Sequence, residues 1–369
     1  PFTDVLQDGA ALNFWDLTAK ANATFSSKDR LFISGYWGRD KFKFDARQGF
    51  SWGNRTGTVR WNHLFNQRLF ANFTGFFSDY DYSLAFGEND LDKFEWDSRI
   101  RTTNFKPELT YFINTSNELT FGGEIIYYRF DPANAVGVSG GDVSNISLDR
   151  KYAFESSLYL GNEQKLGSIT MQYGLRVSDF RYMGPGNVYS YETLEVGARK
   201  EPTFLYRAAE RETIQDYFNW EPRFSIKAQI NPASSVKASY NRTAQYIHLI
   251  SNTTASNPLD VWTPSTNNIK PQLGDQVALG YFRNFGKGND WETSAEVYYR
   301  DTQNQIEYID GADLLINEFL EGELLAGVGR AYGLELYAKR NTGRLTGWVS
   351  YTLARSELKV EGINNNEWY

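Results

Sequence analysis

Residues 218–230 alternate strictly between apolar and polar side chains. The apolar positions are Phe218, Trp220, Pro222, Phe224, Ile226, Ala228 and Ile230. The positions between them are Asn219, Glu221, Arg223, Ser225, Lys227 and Gln229. A period of two is that of a β-strand with one apolar face and one polar face. The pattern recurs along the whole chain, so most of the chain is predicted to form such strands. The fold class then depends on whether water or lipid contacts each face.

The alternation predicts about fourteen strands, joined in sequence as about seven antiparallel hairpins. Each hairpin closes in a turn rich in Asn, Gly, Ser or Asp, as tight hairpins require. The connections between hairpins are much longer, and the longest are residues 182–216, 246–275 and 302–329. The predicted strands are residues 14–25, 31–39, 55–65, 69–80, 97–113, 119–130, 152–160, 168–181, 218–230, 236–245, 276–285, 291–302, 330–340 and 345–355.

Short turns at one rim and long loops at the other are typical of outer-membrane barrels, with the turns periplasmic and the loops extracellular. Strands of about ten or more residues suit a tilted bilayer crossing. The mean hydropathy of -0.53 is compatible with this, because a polar lumen offsets the lipid face. We therefore predict an all-β chain: a transmembrane antiparallel β-barrel in the bacterial outer membrane, in contact with the lipid bilayer and lipopolysaccharide.

The composition argues against several other classes of protein. No run of about eighteen apolar residues is present, so the sequence contains no transmembrane helix. Acidic and basic residues are well mixed and the formal charge is -7, which argues against a nucleic-acid partner. The chain has no cysteine, as fits export through an oxidising periplasm.

The second half of the chain carries a series of ordered sequence blocks. They begin with Trp262-Thr263-Pro264-Ser265 and Asn268-Ile269-Lys270-Pro271-Gln272, and continue at residues 280–285, 296–301, 304–306, 329–335 and 347–356. In their order and spacing these blocks resemble the barrel of TonB-dependent receptors of the Bacteroidota. The first half of the chain resembles that family only in its pattern of alternation.

The resemblance implies a barrel of about twenty-two strands filled by an N-terminal plug domain. Residues 1–369 would then be an interior part of a single barrel domain, with the plug and the closing strands absent from the chain. The implied function is uptake of a scarce solute, such as a siderophore, a glycan or a peptide. Its energy would come from the proton gradient, relayed by the TonB complex through the plug.

Two other functions remain open at this stage. One is a passive pore or export channel, and the other is a non-transporting barrel that scaffolds surface lipoproteins. A surface lipoprotein is also a candidate partner of the transporter. An enzyme is the least expected, because the only histidines, His63 and His248, lie in no recognisable catalytic constellation. We expect no cofactor and no dedicated metal site.

The alternation also predicts which charged residues avoid lipid, where a charge costs about 2–4 kcal/mol at the midplane. These residues would face the lumen, and by the family resemblance the plug. They are Arg176, Glu221, Arg223, Lys227, Lys237, Glu296, Arg300, Glu335 and Lys339.

Candidate substrate contacts lie in the long loops predicted to be extracellular. Aromatic side chains there can stack on a sugar ring or a peptide side chain, and basic side chains can meet an anionic ligand. The aromatic candidates are Tyr182, Tyr189, Tyr191, Tyr206, Tyr246 and Trp262. The basic candidates are Arg207 and Arg211, with Arg199 and Lys200 close by in sequence. Interface girdles and packing within the loops explain such residues equally well.

The loop at residues 302–329 is both acidic and apolar. Its carboxylates could bind calcium, but they lack a regular ligand register, which favours a solvated acidic loop. Its apolar residues, among them Leu314, Leu320 and Leu324, recur at roughly helical spacing and predict a short amphipathic helix. That helix would pack on neighbouring loops or form a docking surface or a lid.

Overall fold

A computed structural model describes residues 10–44, 48–89, 91–192, 195–250, 261–286, 288, 290–314 and 316–369. Its main element is a single sheet of fifteen strands, and fourteen of them follow one another in chain order. These fourteen are β1 (Ala11–Thr24), β2 (Asp29–Lys43), β3 (Gly49–Leu64), β4 (Leu69–Asn89), β5 (Asp92–Asn114), β6 (Asn117–Ser139), β8 (Lys151–Leu166), β9 (Ile169–Met183), β12 (Thr213–Asn231), β13 (Ser234–Gln245), β16 (Gln272–Phe285), β17 (Trp291–Tyr308), β18 (Leu324–Arg340) and β19 (Gly347–Val360). All neighbours are antiparallel, which confirms the predicted all-β architecture.

The smaller elements belong to the long connections. Strand β7 (Asp142–Ser147) pairs with β6, and two separate hairpins are β10 (Gly186–Glu192) with β11 (Glu201–Ala208) and β14 (Ile247–Ile250) with β15 (Val261–Pro264). Two short 3-10 helices are Leu320–Glu323 and Asn364–Asn366. Among the described residues, no helix is long and apolar enough to cross a membrane. Within the same residues β1 pairs only with β2, and β19 only with β18.

The sheet has one polar face and one apolar face. The apolar side chains of β12 lie beside those of both neighbouring strands. Phe224, for example, pairs with Tyr173 of β9 and with Tyr240 of β13. On this face large side chains such as Trp220 and Leu279 are 57% and 52% exposed. The long connections fold over the opposite face, where Tyr246 stacks on Phe180 of β9. We call the face covered by these connections the inner face and the apolar face the outer face.

Several strands extend further toward the long loops than predicted. Strand β4 runs to Asn89 and β5 starts at Asp92, so most of the predicted loop at residues 81–96 is paired strand. The outer face changes from apolar to charged there, as at Asp81 and Arg99. The apolar residues of this part, such as Tyr82 and Trp96, are instead buried on the inner face, so the alternation continues with the two faces exchanged.

The predicted amphipathic helix in residues 302–329 is wrong. Between the end of β17 and the start of β18, the described residues form a single helical element, the 3-10 turn Leu320–Glu323. Ile316 has a φ of 50°, a left-handed conformation that an α-helix cannot include. The apolar residues pack instead as separate anchors, because Leu314, Leu320 and Leu324 join one buried cluster with residues of β14 and β15.

Candidate ligand site beneath the long loops

A cavity lies between the long connections and the inner face of the sheet. Its volume is about 80 Å³, and it is enclosed by segments from β9, β10, β15 and the loop before the 3-10 helix. A space of this size holds a few water molecules. Four of the predicted aromatic residues line it: Tyr182, Tyr189, Tyr191 and Trp262. The fold thus brings together residues that are up to eighty positions apart in sequence.

The aromatic wall is held by tight packing against the 3-10 helix. Gly322 lies so close to Tyr191 that a Cβ atom there would be 3.0 Å from the Tyr191 ring. The ring of Tyr189 meets Phe319 edge to face at 5.3 Å, and its hydroxyl donates to Glu318 at 2.9 Å. Burial raises the pKa of the Tyr191 hydroxyl above its ordinary value, so this side chain remains a neutral donor.

An ion pair crosses the cavity. Lys151 Nζ lies 2.8 Å from Glu321 Oε1, and the Asn268 amide donates to the other carboxylate oxygen at 2.6 Å. Burial raises the pKa of Glu321, but the Lys151 charge and the hydrogen bonds from Asn268 and Thr266 lower it further, leaving it below its ordinary value. Glu321 is therefore an anion at neutral pH, and it presents a fixed charge pair to the cavity.

The segment that begins with Trp262 is a scaffold for this site. Thr263, Ser265 and Thr266 are almost fully buried, and Tyr217 donates to the Thr266 carbonyl oxygen at 2.6 Å. His248 of β14 hydrogen-bonds to Ser265 Oγ at 2.9 Å, and burial lowers its pKa to about 4. A neutral buried imidazole with a hydroxyl partner has a structural role, so the sequence block fixes the loops in place.

The other predicted loop residues do not line the cavity. Tyr246 is buried on Phe180 and bonds to Ser178 and Asn219, so it acts in packing. Tyr206 is 39% exposed on β11. Arg207 donates to Asn187 at 2.8 Å and lies 3.5 Å from Asp149. Arg211 occupies an exposed turn, with Glu210 3.9 Å away.

The two nearby basic residues support the 3-10 helix from outside the cavity. Arg199 Nε lies 2.8 Å from Glu323 Oε1. Lys200 Nζ donates to the Leu324 carbonyl oxygen at 2.8 Å, and burial lowers the pKa of Lys200. Both cations are therefore used to stabilise the loop rather than being free for an anionic ligand.

Sequence reasoning missed Lys151 and Trp96, and it considered Glu321 only as one carboxylate of the acidic loop. Lys151 and Glu321 are 170 positions apart, and Trp96 stands in a segment predicted to be a loop. Trp96 is 1% exposed and lines the cavity, and its indole nitrogen has no hydrogen-bond partner among the described residues. A single sequence contains no pattern that would pair Lys151 with an acidic residue so far along the chain.

Three carboxylates of the acidic loop contact other elements of the loop region. Glu318, Glu321 and Glu323 contact Tyr189, Lys151 and Arg199 respectively, each on a different element. Within the described ranges, no group of three or more His, Asp or Glu residues is arranged to hold a metal ion.

The nine charged residues predicted to face the lumen share the inner face. The register places Arg176 opposite Glu221, and Lys227 opposite Lys237. The same row runs from Lys237 through Gly280 to Glu296 and Glu335. Arg223, Arg300 and Lys339 are two or four residues from a member of the set on their own strands, and therefore lie on the same face. Whether these residues contact a plug stays a prediction.

Arg176 is the centre of an ion-pair cluster on the inner face. Its guanidinium lies 3.0 Å from Glu124, 3.1 Å from Glu155 and 3.6 Å from Glu221. Three carboxylates on one arginine join strands β6, β8, β9 and β12, because each strand supplies one member.

Comparisons with known proteins agree with this architecture. A family model described as TonB dependent receptor-like, beta-barrel, matches residues 2–368. The siderophore receptor PiuA from Acinetobacter baumannii has 14% identity and a TM-score of 0.66, covering 99% of this chain and 60% of that one. No curated protein matches the sequence.

Two further solved structures share the fold. The ferric preacinetobactin receptor BauA from Acinetobacter baumannii has 12% identity and a TM-score of 0.63, covering 95% of this chain and 55% of that one. The FrpB iron transporter (F3-3 variant) from Neisseria meningitidis has 11% identity and a TM-score of 0.65, covering 96% and 54%. The chain thus spans little more than half the length of these proteins. With nearly its whole length matched by the family model, the chain belongs to the TonB-dependent receptor family and is a section of a bacterial outer-membrane β-barrel.

Proposed function

We propose that this chain is the wall and ligand-contacting loop region of a TonB-dependent transporter that takes up a scarce solute. The observation that carries the proposal is the cavity over the inner face, where β9 and separate loops bring Tyr182, Tyr191 and Trp262 beside the Lys151–Glu321 pair. Aromatic rings and a fixed charge pair suit a ligand with flat or ring-shaped parts and several polar groups. Siderophores, glycans and peptides all have this chemistry.

The family supports the rest of the mechanism for the whole protein. Residues 1–369 would form part of one barrel domain, and a plug would fill the lumen against the charged inner face. The proton gradient would act through TonB on that plug. A surface lipoprotein over the long loops would be a further partner.

The test is solute uptake by cells that carry the full-length protein. A deletion strain is grown under limiting iron chelates, glycans or peptides, and the condition that requires the protein is identified. Trp262→Ala combined with Tyr191→Ala is expected to lower uptake about tenfold, because each lost ring contact is worth about 0.5–1.5 kcal/mol. An uncoupler of the proton gradient is expected to stop uptake by the unmodified protein.

Tyr206→Ala is the matched control, because Tyr206 is an exposed aromatic residue of the same region that does not line the cavity. Uptake that continues after uncoupling would favour a passive pore. Unchanged growth on deletion, together with a stoichiometric lipoprotein partner, would favour a scaffold. Either result contradicts the transporter.

A further inference from the structure

The indole of Trp96 is a buried donor beside the cavity that lies beneath the long loops. Trp96 pairs with Leu84 of β4 and Ala135 of β6, and with both it belongs to one apolar cluster on the inner face. The residue is 1% exposed, and its indole nitrogen has no hydrogen-bond partner within the described part of the chain. Buried donors in native proteins are nearly always paired, so this N–H requires an acceptor.

Packing fixes the orientation of this ring. Tyr82 meets the indole edge to face, with the ring centroids 5.6 Å apart. Ala133 and Ala135 complete the buried cluster, and partly buried residues of the long connections pack against it. The ring therefore cannot turn its N–H toward bulk water, and the acceptor must come to the ring. Trp96 lines the cavity, so the cavity is the space from which an acceptor can approach.

Other donors of the cavity are also incompletely used. The Lys151 ammonium group has three N–H donors, and it contacts Glu321 Oε1 at 2.8 Å and Thr263 Oγ1 at 3.3 Å. One of its N–H groups therefore has no partner among the residues that the structure describes. The neutral hydroxyl of Tyr191 on the same wall is a further donor. The cavity thus offers several donors to a group that enters it.

The side-chain acceptors of the cavity are, in contrast, already in use. Glu321 accepts from Lys151 through one carboxylate oxygen and from the Asn268 amide through the other. Glu318 accepts from the Tyr189 hydroxyl at 2.9 Å. The cavity is therefore complementary to a group that only accepts hydrogen bonds. A carbonyl oxygen is such a group, whereas a sugar hydroxyl also brings an O–H that needs an acceptor of its own.

The charges around the cavity do not favour an anionic group. The charged residues of the wall are two basic and three acidic ones: Arg150, Lys151, Asp149, Glu318 and Glu321. Both cations are paired, Arg150 with Asp131 and Lys151 with Glu321. An entering anion would meet a wall of net negative charge, and burying it there without a counter-ion is costly. A neutral acceptor avoids this cost.

We propose that Trp96 determines the specificity of the solute site, and that its indole N–H binds the neutral carbonyl oxygen of an amide group. The solute is then an amide-bearing molecule such as a peptide, rather than an anionic chelate or a simple glycan. A space that holds a few water molecules also holds one amide group. The inference rests on the proposed function, because it takes this cavity as the place where the solute is held.

The test observes the indole N–H groups of full-length protein in detergent by NMR, with nitrogen-15 in the tryptophans. The probe is N-methylacetamide, which has one neutral carbonyl; acetate and 2-propanol are small probes with a carboxylate and a hydroxyl. We expect N-methylacetamide to move the Trp96 signal downfield in a saturable way, and the other two to bind at least tenfold more weakly. The signal is assigned by its absence from Trp96→Phe, or from Trp96→Tyr if the phenylalanine variant does not fold.

Trp61→Phe is the matched control, because the Trp61 indole already donates to Asp29 at 3.2 Å and does not line the cavity. In this variant the Trp96 signal is expected to respond as in the unmodified protein. Gly186→Leu should abolish the response by filling the cavity, since a Cβ atom at Gly186 meets no atom within 4 Å. Three results would each overturn the proposal: no saturable shift with N-methylacetamide, equal or tighter binding of acetate or 2-propanol, or a response that survives Gly186→Leu. The shift is measured without transport, so its failure and that of the transporter are separate results.

Discussion

At the scale of single residues, His248 makes the loops over the cavity sensitive to pH. Its imidazole is 4% exposed beside Ser265, and burial lowers its pKa to about 4. Between pH 6.5 and about 4 the unfolded segment binds a proton that the folded one excludes, so stability is lost as the pH falls through this window. The pKa of Glu321 is also lowered from 4.5, so its contribution to stability is present above pH 4.5 and is lost as the pH falls through the lowered pKa.

We predict that amide protection in β15 falls as the pH is lowered from about 7 to about 5, by an amount on the order of 2 kcal/mol. The measurement is hydrogen exchange of the Val261, Trp262 and Thr263 amides, corrected for the intrinsic pH dependence of exchange. His248→Gln keeps a hydrogen-bonding side chain that does not titrate. Its protection is expected to be independent of pH over this range, and an unchanged pH dependence would rule out His248 as the cause.

A second residue-scale prediction concerns Gly322, which lies against the cavity wall. A Cβ atom there would lie 2.6 Å from the Lys200 carbonyl oxygen and 3.0 Å from the Tyr191 ring. Gly322→Ala is expected to destabilise this contact by about 1–3 kcal/mol, because a backbone atom must move. Exchange of the Lys200 amide, which donates to the Gly322 carbonyl oxygen at 3.0 Å, should quicken about tenfold or more.

Gly186→Ala is the control for that substitution. Gly186 lines the same cavity, but a Cβ atom added there meets no atom within 4 Å. Its exchange pattern is expected to match that of the unmodified protein. Equal effects of the two alanines would show that glycine flexibility, rather than space beside Tyr191, is what matters.

At the scale of elements, alternation was sufficient to predict all fourteen strands of the main path. It works because every strand has one face toward an apolar environment, so each side chain reports its face. It failed at the loop-side ends of β4 and β5, because the faces are exchanged there: Asp81 is on the outer face, whereas Tyr82 and Trp96 are buried on the inner face. It failed also for residues 302–329, where Leu314 and Leu320 anchor an irregular segment at spacing that imitates a helix.

The assignment of the outer face leads to a prediction from two adjacent residues of β16. Leu279 is on the outer face and Ala278 on the inner face, as their register partners Val297 and Tyr298 also are. Leu279→Arg is expected to cost about 2–4 kcal/mol in a bilayer if it is close to the midplane. Ala278→Arg points away from lipid and should cost much less. The measurement is reversible unfolding from lipid vesicles, and equal costs would contradict the assignment of faces.

At the scale of the whole molecule, the candidate site depends on contacts that no local pattern encodes. Tyr182, Tyr191 and Trp262 were predicted because loop aromatics are common ligand contacts. Tyr246 has the same sequence signature and is used in packing instead. The difference is set by which loops meet over the sheet, and a single sequence does not contain that information.

The small size of the cavity requires the loops to move. A space of about 80 Å³ holds a few waters, so a siderophore, glycan or peptide can enter only if the surrounding loops separate. One contact across these loops joins Arg207 of β11 to Asp149, at 3.5 Å, and both side chains are more than half exposed. We predict that locking this contact stops uptake of the solute identified by the growth test.

The chain has no cysteine, so Asp149→Cys with Arg207→Cys can be joined selectively by a bifunctional thiosulfonate reagent. Uptake should fall to the level of the deletion strain and return when a reductant releases the link. Each single cysteine variant treated with the same reagent is the control and should retain uptake. Full uptake by the linked protein would mean that solute passes without separation of β11 from the segment before β8. In that case the cavity would be a packing defect between loops, and the binding surface would have to lie elsewhere on the inner face.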